Sequence, residues 1–394
     1  MIFADLHIHS KYSRATSPDM NMKNLSHWAK IKGLGLMGTG DMTHPKWLQE
    51  IKSTVSEDSG ILHCNGTDFI LSGEISLIYT AAGKVRKVHL VILSPGFEVT
   101  DQINSWLLKK GRIDYDGRPI FGFSCIEFMD AVASISKDIA VIPAHIWTPH
   151  FSLFGSNSGF DSIEECFEDK IKYVTALETG LSSDPAMNRK ISMIDNYPLV
   201  SFSDSHSLWR IGRECTVLGV EDLTYKNIIN AIKNKIRFTV EVDPSYGKYH
   251  FDGHRACNIC IDPVNTINNK MCPKCKKPLT IGVLHRVEEL ADRKQPKNVP
   301  DFKTMLPLQE ILSLVYSLGT GTKTITSKYN GLIQKYGSEF NILMQSDLSS
   351  MEDKKLAGVL MKNRFGKIFV EPGYDGVYGK PAMESEQKTL RNLL

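Results

Sequence analysis

The chain has 394 residues, of which 42% are apolar and 23% charged; these are ordinary proportions that exclude a collagen-like, largely disordered or disulfide-stapled chain. The net charge of +3, from 47 Lys and Arg against 44 Asp and Glu, is too small to argue for nucleic acid by itself, so any basic patch has to be local. No window approaches the ~20 apolar residues of a membrane span, and Met1 to Asp5 lacks the pattern of a signal peptide, so a cytoplasmic protein without a membrane partner is expected.

Short apolar runs separated by helical patterns occupy the first 240 residues: Ile2 to His7, Gly35 to Thr39, Phe69 to Glu74, Val88 to Leu93, Ile139 to Ala144, Tyr173 to Glu178 and Pro198 to Ser203. Strands alternating with helices predict parallel pairing and a closed or nearly closed (β/α) barrel. Ionisable residues gather at the ends of these runs. His7 and His9 end the first, Asp41 follows the second, and Glu74, His145 and Glu178 end the third, fifth and sixth. Asp204 and His206 end the seventh. The carboxyl ends of barrel strands converge on one mouth, so these residues are expected to meet there. Loops collect polar residues anyway, but six strand ends doing so together point to bound cations, which relieve the crowding of carboxylates and imidazoles. Mixed His and carboxylate donors suit Zn²⁺, Mn²⁺ or Fe²⁺, and a paired-ion site favours phosphoester hydrolysis.

Further along, Cys257-x2-Cys260 and Cys272-x2-Cys275 have the spacing of a four-cysteine ribbon that folds around one structural zinc. Between Ser245 and Pro300 ten Lys and Arg face five acids. That excess either offsets the thiolates or forms a face for phosphates. Asp292 to Lys303 reads as a linker. Beyond it, Leu308 to Leu318, Lys323 to Tyr336 and Asp347 to Asn363 have helical periodicity, and Gly319-Thr320-Gly321-Thr322-Lys323 opens one of these helices. The expected organisation is a barrel over 1–243, a zinc ribbon over 244–290 and a mainly helical module over 291–394.

The set Asp5-Leu6-His7-Ile8-His9-Ser10, Glu74, His89, His145 and Asp204-Ser205-His206 resembles the PHP (polymerase and histidinol phosphatase) metallophosphoesterases. That resemblance implies a distorted seven-stranded barrel and a centre of two or three divalent ions (Zn, Mn or Mg). Its ligands would be His7, His9, Glu74, His89, His145, Asp204 and His206, with Asp41 as a further ligand; His7, His9, Glu74, His145, Asp204 and His206 would carry catalysis. Asp5, His44 and Glu178 are placed behind the ligands.

Barrel, ribbon and helical tail, with Gly38-Thr39-Gly40-Asp41-Met42-Thr43-His44-Pro45, His145-Ile146-Trp147-Thr148-Pro149, Ala176-Leu177-Glu178-Thr179-Gly180 and Glu371-Pro372-Gly373-Tyr374-Asp375-Gly376, resemble the endonuclease Q family over nearly the full length. This implies a DNA repair enzyme that cuts 5′ of deaminated bases (uracil, hypoxanthine, xanthine) or abasic sites, in double- or single-stranded DNA, leaving 3′-hydroxyl and 5′-phosphate ends. Such an enzyme everts the altered base. Trp147, Phe151 or Phe154 is expected to stack on it or fill its gap, and Ser156 or Asn157 to read its edge; the competing reading makes these rings the private core of their loop. Arg14 and Arg210, beside ligands, are expected to clamp phosphate oxygens or to pair with nearby acids. A phosphatase for a small phosphomonoester and a non-catalytic DNA-binding module are the alternatives.

Overall fold

The computed structural model describes residues 1–266 and 269–383; residues 384–394, assigned above to the helical module, lie outside the described residues. Seven strands form a ring: β1 (Ile2–Asp5), β2 (Leu36–Gly38), β3 (Thr67–Ala81), β4 (Lys84–Ser94), β5 (Ala140–Pro143), β6 (Leu177–Glu178) and β7 (Leu199–Val200). An apolar cluster drawing Ala4, Leu36, Ile70, Val91, Ile142, Ala176 and Val200 from or beside all seven strands holds the ring together. The ring closes where the Ile8 backbone bridges Ser205 and the His9 amide donates to the Ser205 carbonyl at 2.9 Å. Helices Met22–Lys32, Pro45–Thr54, Phe97–Leu108, Cys125–Ile135 and Tyr225–Asn234 accompany it. Asn21, Ser124 and Thr224 start three of them, each side chain accepting from a first-turn amide.

The expected parallel pairing holds for β1–β2, β2–β3 and β6–β7. It fails at β4, which runs antiparallel to both β3 and β5. Only Ala82 and Gly83 join β3 to β4, too few for a parallel crossover, which needs a dozen or more residues. This reversal brings the amino-terminal half of β4 to the mouth. His89 pairs with Ser76, and Val91 with Glu74. A histidine that opens its strand in sequence therefore stands beside residues that end theirs.

Outside the ring, β8 (Cys215–Leu218) pairs with β1, β9 (Ile236–Glu241) with β8, and β10 (Phe302–Thr304) with β9. The stretch read as a linker thus ends in a strand of the barrel sheet. Two buried carboxylates sit at this edge. Glu214 and Glu241 both accept from Ser201 Oγ, at 3.2 and 2.9 Å. Burial pushes Glu214 up to about 8 and raises Glu241 as well.

In the ribbon, Asp252–His254 pairs with Ile259–Ile261. The motif near the C-terminus completes it: Tyr374 bridges Phe251, and Asp375 accepts from the Arg255 amide at 2.6 Å and Thr280 Oγ1 at 2.7 Å. The tail contains helices Leu308–Tyr316, Lys323–Tyr336 and Lys354–Arg364. It docks on the barrel through a buried ion pair, Lys32 Nζ to Glu339 Oε2 at 2.7 Å, with Glu339 also accepting from Tyr329 and the Leu308 amide. No helix among the described residues is long and apolar enough to cross a membrane.

Removing one partner of a buried pair strands the other charge, so Glu339→Ala is expected to cost about 3–5 kcal/mol in urea unfolding, with part regained in the Lys32→Met/Glu339→Ala double variant. A carboxyl whose folded pKa is raised stabilises fully below its unfolded pKa of about 4.3, and that contribution is lost as pH rises through the folded value. The melting temperature should therefore fall between about pH 5 and 8, and Glu214→Gln should flatten that fall.

Candidate metal centre

The mouth of the ring gathers two donor groups. His7, His9, Glu74 and Asp204 form one and Glu74, His89 and His145 the other, the ligand atoms of each lying within 4.8 Å of one another. Glu74 belongs to both. Its Oε2 lies 3.6 Å from His7 Nε2 and 3.3 Å from His9 Nε2, while Oε1 lies 2.7 Å from His89 Nδ1 and 3.2 Å from His145 Nε2. Asp204 Oδ1 is 3.1 Å from His9 Nε2. Burial would raise the Glu74 carboxyl, yet His89, Arg118 and His7 hold it well below the usual range. Three polar atoms aimed into this space, His7 Nε2, His9 Nε2 and Asp204 Oδ1, are buried without a hydrogen-bond partner. Such atoms are costly unless something binds them; convergent imidazole and carboxylate donors fit divalent cations, and the shared carboxylate fits a pair.

The backs of the rings are fixed too. His7 Nδ1 lies 2.9 Å from Glu178 Oε1, and Glu178 Oε2 also accepts from the His145 amide at 2.7 Å. His9 Nδ1 lies 3.0 Å from Asp41 Oδ1 and 3.1 Å from Ser13 Oγ. Carboxylates in this position orient an imidazole and make it a better ligand. Asp41, His145 and Asp204 all have left-handed backbones, with φ of 46°, 32° and 46°, a conformation that collects at functional strand ends. A side chain on Gly180 would come within 2.5 Å of His145 Cβ, and one on Gly117 within 2.2 Å of Asp41 Oδ2.

Several expected residues stand elsewhere. Asp41 is outside both donor groups: Ser10 N and Oγ, Ser13 and His9 occupy its oxygens. It positions His9 and does not itself face the centre. His206 is also outside them, with Nδ1 3.0 Å from the Asp204 carbonyl and its ring 4.4 Å from that of His9. Asp5, pushed up to about 6 by burial, accepts from the amides of Ser203 and Gly212 and so braces the Asp204 loop. His44 stacks on Tyr12 and contacts the Asp114 carbonyl.

Trp147 and Phe154 do not line the site. Both are fully buried and pack against each other in a tilted pair with ring centroids 4.9 Å apart, and Trp147 Nε1 donates to Asn188. Rings with no exposed face cannot receive a base; they are the core of their loop. Phe151 alone of the three reaches the centre, its ring 4.8 Å from that of His89. The Ser156 hydroxyl is buried and unpartnered, and exposed Asn157 contacts His150. Arg14, with a side chain 74% exposed, pairs with Asp116. Arg210 is exposed on a turn after His206.

Arg118 is a residue at the centre that sequence reasoning missed: Nη1 lies 3.0 Å from Glu74 Oε2. It sits in a long loop with no metal-ligand spacing, and its only signal is the Asp116-Gly117-Arg118-Pro119 turn. In the ribbon, His254 joins Cys257, Cys272 and Cys275 as a group of donors within 4.8 Å. Cys260 lies apart from them, its Sγ 3.9 Å from the Pro372 carbonyl. Cys260 pairs with Gly253 and Ile259 with His254, and consecutive strand residues face opposite sides.

Residues 307–367 match the family model of the MJ0043 C-terminal domain. The chain is 28% identical to YqxK of Bacillus subtilis over 96% of this chain and 98% of that protein. It is 37% identical to MJ0043 of Methanocaldococcus jannaschii over 71% of this chain, spanning 36% of that longer protein. The lesion-specific endonuclease PfuEndoQ of Pyrococcus furiosus superposes with a TM-score of 0.87 at 30% identity, over 97% of this chain and 95% of that one. An endonuclease Q bound to a 27-mer duplex with an abasic lesion at its active site superposes with a TM-score of 0.88 at 31% identity, over 98% and 97%. Identity at this level across essentially the whole of two solved endonuclease Q structures, together with the shared fold, makes the chain a member of the endonuclease Q family.

Proposed function

We propose that this protein is a metal-dependent DNA repair endonuclease that hydrolyses the phosphodiester on the 5′ side of deaminated bases and abasic sites. The observation that carries the reading is the pair of donor groups sharing Glu74 inside an endonuclease Q fold. His7, His9, Glu74 and Asp204 would hold one divalent ion, and Glu74, His89 and His145 a second. Such a pair supplies a water of lowered pKa and charge to stabilise both oxygens of a phosphoryl displacement. The chain's own groups do the rest. Glu178 and Asp41 keep His7 and His9 turned to the centre. Arg118, at the rim, is placed to neutralise charge on a phosphate drawn against Glu74. His206 stands beside His9 at the mouth, where it can exchange a proton with the departing or attacking oxygen. Phe151 is the ring at hand for an everted base or the gap it leaves. The ribbon, held by a structural zinc, and the helical tail would grip the DNA backbone without reading sequence.

The test is a nicking assay on end-labelled duplexes carrying one uracil, hypoxanthine or abasic site, or no lesion, with Mg²⁺, Mn²⁺ or Zn²⁺. A lesion-dependent cut immediately 5′ of the altered nucleotide is expected, and Asp204→Ala should abolish it. Lesion-blind cutting would leave a general nuclease; turnover of a chromogenic phosphomonoester with none of DNA would favour the small-phosphatase reading. Glu178→Gln should weaken divalent-ion binding about 10–100-fold, read by titration calorimetry, and lose activity that excess metal restores.

A further inference from the structure

A cleft of about 270 Å³ lies where the barrel mouth meets the helical tail, lined from the barrel by Arg210 and Arg213 and from the tail by Gln309, Glu310, Thr320 and Gly321. Ser207, on the same wall, directly follows the Asp204-Ser205-His206 run of the metal centre. Arg210 and Arg213 make no salt bridge among the described residues. Burial and the proximity of Arg210 pull Arg213 below its ordinary value, outweighing the opposite pull of Asp204 and Glu214. Arg213 is held in place by its Nε donating to the Ser203 carbonyl at 2.9 Å. Glu310 is the one acid of the lining, and the Tyr246 hydroxyl engages it.

The opposite wall is the turn that opens the 14-residue helix Lys323–Tyr336. Gln309 Nε2 donates to the Thr320 carbonyl at 3.0 Å and fixes this turn, and the Thr322 side chain caps the Ile325 amide. The remaining first-turn amides of a helix have no acceptor within it and carry the positive end of its dipole. Arg210 and Arg213 line the cleft together with Thr320 and Gly321 of that turn and Thr326 of the helix, and paired guanidinium groups beside a helix N-terminus form an anion site. The volume is below the ~300–1,000 Å³ usual for whole small-molecule ligands and suits a phosphate with its sugar.

We propose that this cleft binds a backbone phosphate of the DNA strand that enters the metal centre, so that the tail closes on the substrate together with the barrel. The inference rests on the nuclease reading and assigns the Gly-Thr turn and Arg213 a role in it. Neither wall suffices alone, because the guanidinium groups come from the barrel and the amides from the tail.

The experiment is a fluorescence-anisotropy titration of a labelled abasic-site duplex at several salt concentrations, with every protein carrying Asp204→Ala so that nothing is cut and no chelator strips the ribbon's zinc. Variants probe each wall separately: Arg210→Ala and Arg210→Lys on the barrel, Gly321→Glu on the tail. Gly321 lines the cleft and a Cβ there meets no atom within 4 Å, so the substitution adds a negative charge to that wall without a clash. Arg210→Ala is expected to weaken binding about tenfold and to lower the salt slope by about one, Arg210→Lys to keep the slope, and Gly321→Glu to weaken binding at least as much. Unchanged melting temperatures certify that the variants are folded. Unchanged affinity and slope in both Arg210→Ala and Gly321→Glu would overturn the cleft while leaving the nuclease reading intact, and so would an effect confined to one wall. Failure of the Asp204→Ala parent itself to bind DNA would overturn both.

Discussion

One buried carboxylate organises the molecule. Glu74 is 1% exposed, and an ionised group in that position costs several kcal/mol unless its surroundings repay it. Here His7, His9, His89, His145 and Arg118 all converge on its two oxygens. The divergence of those oxygens divides the mouth into two donor groups, so the geometry of one side chain orders residues drawn from five segments. Each neighbour needs its own support, which Glu178 gives to His7 and Asp41 to His9.

The rest of the barrel serves that convergence. The long β3–β4 hairpin reverses one strand and so carries His89 to the mouth beside Glu74. The loop bearing Arg118 lies against Asp41 so closely that Gly117 leaves no room for a side chain. Asp5 ties the end of β1 to the loop that presents Asp204. Left-handed backbone at Asp41, His145 and Asp204 turns the chain sharply just past the strands, which is how these loops fold back over the ring.

The loop after Asp204 also couples the centre to the tail. Trp209 packs edge-on against Trp28 of the barrel at 4.6 Å and against Tyr329 of the tail at 5.1 Å. Lys32, which donates to the Trp209 carbonyl, pairs with Glu339 of the tail. The ribbon is similarly composite, since Tyr374 and Asp375 close it from more than a hundred residues away. Barrel, ribbon and tail are therefore interlocked.

Much of this was legible from the residues themselves. Ionisable side chains at successive strand ends follow from local alternation and from the convergence of barrel strands, and both are properties of short segments; hence His7, His9, Glu74, His145 and Asp204 could be assembled before any coordinates. The resemblance added His89, whose place no parallel barrel would explain. What the segments could not reveal was direction and depth. The reversal of β4, the turning of Asp41 away from the centre, the burial of Trp147 and Phe154, the arrival of Arg118 and the placing of His254 beside Cys257, Cys272 and Cys275 all depend on tertiary contacts. Sequence alone determined which chemistry is present and roughly where it collects, because spacing along a strand fixes which side chains share a face. Tertiary structure decided which of those groups touch, because burial and hydrogen bonding are settled only when the remote segments pack.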